Sequence, residues 1–212
     1  MPPAGACCAH DHDCEAADCG PAYSLYRHID LAHVRCLNED VEGSCRHVFR
    51  AWAARVAPLE PPAVPLRSDP DDCELLLHIP FDGAAKLKAI CIIGGAGGAA
   101  PSRMRAFINR DDLDFAAIAS MQPTQEWDLQ EVNANGTLEY PTQVARFNGV
   151  HSLDLHFPST FGSEQSELLF VGLKGEFSER QRRAVEAVYE ARPVPGDHKV
   201  PGDLAGPAWN VS

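Results

Sequence analysis

From Glu74 onward the chain breaks into short apolar runs separated by turn-forming residues, and this texture limits the fold more than any other feature. ELLLHIPF (74–81), KLKAICII (86–93), MRAFIN (104–109), QVARFN (143–148), VHSLDLHF (150–157) and LLFVGLKG (168–175) each have the length of a strand. In SLDLHF, Leu153, Leu155 and Phe157 fall on one side and Ser152, Asp154 and His156 on the other. Side chains alternate along a strand, so this pattern predicts one buried face and one wet face. Asp82-Gly83, the Gly94–Gly98 tract, Asn135-Gly136, Asn148-Gly149 and Phe161-Gly162 supply turns between the runs. Many short strands without convincing helices between them predict an all-β sandwich or jelly roll.

The rest of the chain frames that body. With 212 residues and 45% apolar content, it has material for one substantial core, so one domain with tails is expected. Residues 1–22 are small, acidic and rich in cysteine and histidine, and read as a disordered tail. YSLYRHIDLAHVRCLNED, from Tyr23, reads as a partly ordered lead-in, helical or extended. APLEPPAVPLRSDP (57–70) carries five prolines, which disfavour helix and ladder alike, and reads as an extended surface segment. SERQRRAVEAVYEAR (178–192) opens with a capping-box pattern and is rich in helix formers, yet Val185, Ala187 and Tyr189 also share one face of a strand.

Thirty acidic against eighteen basic residues give a formal charge of −12. Such a field repels phosphate backbones and anionic lipid, so neither nucleic acid nor membrane is an expected partner. AICIIGGAGGAA, the best apolar run, is too short and too rich in glycine to span a bilayer, and no secretory pattern opens the sequence. A soluble, intracellular protein is expected. In that setting the eight cysteines are thiols or metal ligands rather than a disulfide framework, and Cys91 is most simply a small core residue.

Few motifs carry chemistry. Gly95-x-Gly97-x-x-Ala100 loosely matches a dinucleotide-binding turn, but such a turn needs a helix directly after it, and Pro101 and MRAFIN follow instead. A hairpin connection is the expectation. Cys19-Gly20-Pro21-Ala22 begins like a thioredoxin site and lacks the resolving cysteine. CCAHDHDCEAADC (7–19) offers Cys7, Cys8, His10, His12, Cys14 and Cys19 as zinc ligands. Three readings stay open for it: a structural site, weak adventitious zinc on a tail, and no metal function. His78, His151 and His156 sit within strands and read as exposed or hydrogen-bonded residues. SDPDDCE (68–74) lacks the ligand spacing of a calcium loop and reads as a solvated acidic loop. No catalytic constellation and no cofactor site are expected.

Several stretches resemble the PITH domain: IDLAHVRCLNED (29–40), SDPDDCELLLHIPFDGAAKLKAICIIG (68–94), PSRMRAFIN (101–109), YPTQVARFNGVHSLDLHF (140–157) and LLFVGLKGEF (168–177). The most specific pieces are Cys36-Leu37-Asn38-Glu39, the Leu75 to Phe81 run followed by Lys86-Leu87-Lys88, and Gly172-Leu173-Lys174-Gly175. They stand in the family's order. The resemblance places the domain at 23–192, with a C-terminal tail at 193–212. It implies a jelly-roll β-sandwich similar to galactose-binding-like domains, and a final strand over 183–190 despite the local capping signal.

The thioredoxin domain of fused relatives has no counterpart here, so the chain resembles the standalone version. The resemblance implies a non-enzymatic adaptor docking on the 26S proteasome, cytoplasmic and also nuclear. Lys86, Lys88 and Lys174, charges within otherwise apolar motif segments, and Trp209 in the tail are the candidate contact residues. The same lysines also read, and more simply, as ordinary solvated strand charges. Two other readings are a structural component of a cytoskeletal or ciliary assembly, and a lectin-like module binding a small ligand.

Overall fold

A computed structural model of the protein describes residues 23–179. Eight strands are present there: β1 Arg35–Leu37, β2 Leu66–Arg67, β3 Leu75–Gly94, β4 Arg103–Ile108, β5 Gln125–Asp128, β6 Tyr140–Pro141, β7 Val150–Phe157 and β8 Glu167–Ser178. Every pairing is antiparallel. The pairs β2–β8, β3–β7 and β4–β5 nest inside one another, with β8–β3 and β7–β4 joining them. This is jelly-roll winding, in which early strands pair with late ones.

β3 joins the two leaves. Its first half, Leu75 to Pro80, pairs with β1 and β7; its second half pairs with β8 and β6. Ala85 has partners on both, Val150 of β7 and Phe177 of β8. The first leaf therefore runs β1–β3–β7–β4–β5 and the second β6–β3–β8–β2. Leu77, Ile79, Met104, Leu153 and Leu155 of the first leaf share one core with Leu87, Ile90, Ile92, Leu168 and Leu173 of the second. Two antiparallel leaves around one core make a β-sandwich.

Several expectations are corrected. ELLLHIPF and KLKAICII are one strand of 20 residues, because Asp82-Gly83 forms a bulged crossing between leaves rather than a turn. Glycine is needed at 83 for close approach: a Cβ there would lie 2.7 Å from the Phe177 ring. QVARFN is a turn, held by Arg146 N–H and Phe147 N–H to the Gln143 carbonyl at 2.7 and 3.2 Å. Its purpose is to drive Phe147 into the core, where it is fully buried. The glycine tract links β3 to β4, which are not neighbours, so it is a crossover rather than a hairpin.

The polar side of SLDLHF is not wet either. Ser152, Asp154 and His156 are buried at 5%, 2% and 3% exposure. A helix that alternation did not reveal, α1 Phe115–Ser120, packs on this face with Phe115 edge-on to His156, while Ser152 Oγ is held by the Arg110 carbonyl. Asp114 caps the helix by accepting from Ala117 N–H at 2.7 Å. Its Ile118 packs with Leu76 and Phe107, and Leu113, Phe115 and Met121 join them.

The lead-in and the proline-rich segment also contribute to the core. Leu25, Ile29 and Val34 are buried, with a short 3-10 turn at Leu25–His28. Leu66, at the end of the proline run, is fully buried because β2 pairs with β8 despite the prolines around it. Cys91 is a core residue as read.

Candidate functional site

Two places concentrate polar chemistry. The first lies under α1. His78 Nδ1–H donates to Asp154 Oδ1 at 2.7 Å across the β3–β7 register, and His156 Nε2–H donates to Glu74 Oε1 at 2.6 Å. Burial holds His156 below the usual histidine range, against the opposing pull of Glu74, with Arg105 adding to the depression. The ring is therefore neutral at pH 7, and its Nδ1 lone pair is buried without a partner. Burial raises the Asp154 carboxyl, against the bond from His78.

A histidine–carboxylate pair can act as a general base or activate a neighbouring nucleophile. The hydroxyl nearest in the strand, Ser152 Oγ, is bonded to the Arg110 carbonyl at 3.4 Å. Burial pushes the Cys91 thiol up to about 11 and the Cys45 thiol up to about 12, and raises Cys36 well above its ordinary value. Such thiols are poor nucleophiles at neutral pH. Among the described residues no group of three or more His, Cys, Asp or Glu side chains is arranged to hold a metal ion. Both histidines of this layer are buried, His78 at 8% and His156 at 3% exposure.

It carries a pH consequence. Unfolding returns His156 to about 6.5, above its folded value, so protonation favours the unfolded chain. The stability it holds is present above that value and is lost as pH falls toward the depressed one. Asp154 works the opposite way, because its raised carboxyl is better tolerated once protonated. We expect the melting temperature to fall between pH 7 and pH 5 more steeply in the wild type than in His156→Gln. Equal slopes would show that His156 does not hold this stability.

The second place is the outer face of the second leaf. Lys86 and Lys88 of β3 both reach Glu176 of β8, at 3.6 and 2.9 Å, and lower its carboxyl, Lys88 more than Lys86. Lys88 also lies over the Tyr23 ring at 5.3 Å. Further along, Lys174 is buried at 8% exposure, bonded to Glu139 and set 4.1 Å over Trp52. Trp52 meets Phe170 edge-on and covers Gly172, where a Cβ would come within 2.9 Å of the indole. Of the three lysines, Lys174 is the most enclosed, while the Lys86 side chain remains 40% exposed.

Beyond Trp52 the face opens into two hollows, of about 300 and about 290 Å³, that share Ile93, Ala134 and Leu169. Arg50, Arg55, Val56 and Leu59 line the first; Gly95, Gly97, Glu131 and Val132 line the second. Val56 and Val132 are 55% and 81% exposed. Arg50 is fixed by the carbonyls of Ala57, Arg55 and Leu169, and Arg55 by those of Trp52, Asn135 and Gly136. Arg55 also stacks 5.0 Å over Trp52. Of these groove residues Gly95 and Gly97 stood out in the sequence, as part of the glycine tract. Asn135-Gly136, read as a turn, borders the groove: Gly136 has a positive φ of 57°, and the Arg55 side chain lies against it.

A PITH domain model matches residues 15–193. The chain belongs to the PITH family. A PITH domain-containing protein 1 of Dictyostelium discoideum is 40% identical over 191 residues, covering 90% of each chain. One of Xenopus laevis is 40% identical over 197 residues, covering 92% of this chain and 91% of its own. Among solved structures, a family 32 CBM of Clostridium perfringens in complex with galactose is 9% identical, covers 71% of this chain and 97% of that one, and has a TM-score of 0.49.

In this PITH chain the three lysines singled out in the sequence share one face, and the groove continues it. His78 and His156 lie on the other leaf. Cys7, Cys8, His10, His12, Cys14, Cys19 and Trp209 lie outside the described residues, as do the 183–190 strand and the two tails. No helix among the described residues is long and apolar enough to cross a membrane.

Proposed function

We propose that this PITH protein is a non-enzymatic binding module that docks on the 26S proteasome through the outer face of its second leaf. The feature that supports a docking role is the two-lobed groove with exposed Val56 and Val132 at its margins. Large apolar side chains left in water beside a hollow are what a protein partner covers. The charged end, Lys86 and Lys88 around Glu176, supplies a polar rim. Stable docking needs a total buried surface on the order of 1,200 Å², so the face and its surroundings have to act together. The thiols of Cys36, Cys45 and Cys91, raised by burial, and the buried histidine–carboxylate pairs favour binding over catalysis as its role.

The test is affinity purification of the tagged full-length protein from its own cells, followed by mass spectrometry. Proteasome subunits should be recovered above a control bait. Microtubule or axonemal components recovered without proteasome subunits would overturn the reading in favour of a cytoskeletal or ciliary assembly.

A further inference from the structure

The groove has a charge polarity that identifies what it takes. Arg50 and Arg55 both line the first lobe, and among the described residues neither makes an ion pair. Their bonds go to backbone carbonyls, the Arg50 Nε is buried without a partner, and the Arg55 fork retains donors beyond those bonds. Two guanidinium groups in one lining give this lobe a positive wall in a chain with 30 acids and 18 bases. The second lobe carries the opposite sign, through Glu131 at its margin.

The size of the lobes also selects the ligand. Each hollow lies at the small end of the range for drug-sized pockets, which suits one apolar side chain per lobe rather than a cofactor. Ile93, Ala134 and Leu169 form the seam between them, so one extended segment crossing the seam fills both.

We propose that the groove binds an extended peptide segment of a partner protein, with an apolar side chain in each lobe and a carboxylate at the Arg50–Arg55 end. A guanidinium fork matches a carboxylate in a two-pronged bond, and the apolar surroundings strengthen it. The second lobe, with Glu131, disfavours an acid at the other end. This rests on the docking reading above and specifies the contact it uses.

The test uses the purified full chain and three fluorescein-labelled octapeptides, read by fluorescence anisotropy. One carries two leucines followed by two aspartates, one has lysines for the aspartates, and one has serines for the leucines. The acidic apolar peptide should bind at least about tenfold tighter than either other, a difference of about 1.4 kcal/mol. Val132→Glu should weaken it by a similar factor, and Val56→Glu, which places an acid beside the arginines, should do the same. Both positions are exposed, so the melting temperature should not change.

Equal binding of the acidic and lysine peptides, no binding of any, or full binding by both variants would overturn the proposal. Proteasome capture with the same proteins separates the two readings. Val132→Glu that loses the peptide but captures proteasome as wild type overturns this groove as the docking contact and spares the docking reading. Selective peptide binding by a wild type that captures no proteasome supports the groove and removes the docking reading.

Discussion

Replacing His78 with leucine should cost about 3–5 kcal/mol of stability where Asp154 is ionised, the range for leaving a buried charge without its partner. The Asp154 side chain is 3% exposed, its Oδ2 already lacks a partner, and His78 holds its other oxygen. Without the imidazole the carboxyl has to be buried bare. Because burial already raises its pKa, the penalty should grow as pH rises and shrink toward the carboxylate range, where protonation relieves it. The double variant His78→Leu, Asp154→Leu should recover most of the loss, since removing both partners leaves no orphaned group. Urea unfolding at pH 8 and pH 5 reads all of this. A single variant as stable as wild type at both values would show that the pair is not what closes this layer.

Phe147→Ala should destabilise by about 3–5 kcal/mol through the cavity it leaves. For a chain of this size that corresponds to a fall in melting temperature of about 10 °C. Phe147 is fully buried, its ring centroid lies 6.2 Å from that of Trp127, and its carbonyl accepts from Leu87 N–H at 3.0 Å. The loss should therefore appear in thermal unfolding followed by tryptophan emission. A shift of only a degree or two would mean that the turn over 143–147 can collapse and refill the space.

These two residues show where the sequence was legible. The inward set of β7, Leu153, Leu155 and Phe157, follows from alternation alone and is buried as expected. The outward set is buried against alternation because part of its cover comes from a helix of only 6 residues, too short to show a helical period. Asp114, three residues before the amide it caps, is the local signal that was there to find. An apolar residue in a short mixed run such as QVARFN looks the same whether a strand or a turn delivers it, so the run alone does not separate the two for Phe147. Asp82-Gly83 has turn chemistry, and only the partners on both sides of β3 make it a crossing between leaves.

The lysines were visible because they interrupt apolar runs. The groove was not, for it is assembled from residues near 50–59, 93–97, 131–134 and 169. Apart from the glycine tract, which reads as a connection, each of these segments is ordinary by itself. Arg50 and Arg55 gain their meaning from lining one hollow together, and spacing along a chain cannot express that.

The central claim is direct docking, and the most direct test is sedimentation of the purified full chain with purified 26S proteasome. Comigration with the proteasome peak, reduced by Val56→Glu and Val132→Glu together, is the predicted result. A chain that sediments alone at saturating proteasome would contradict the account.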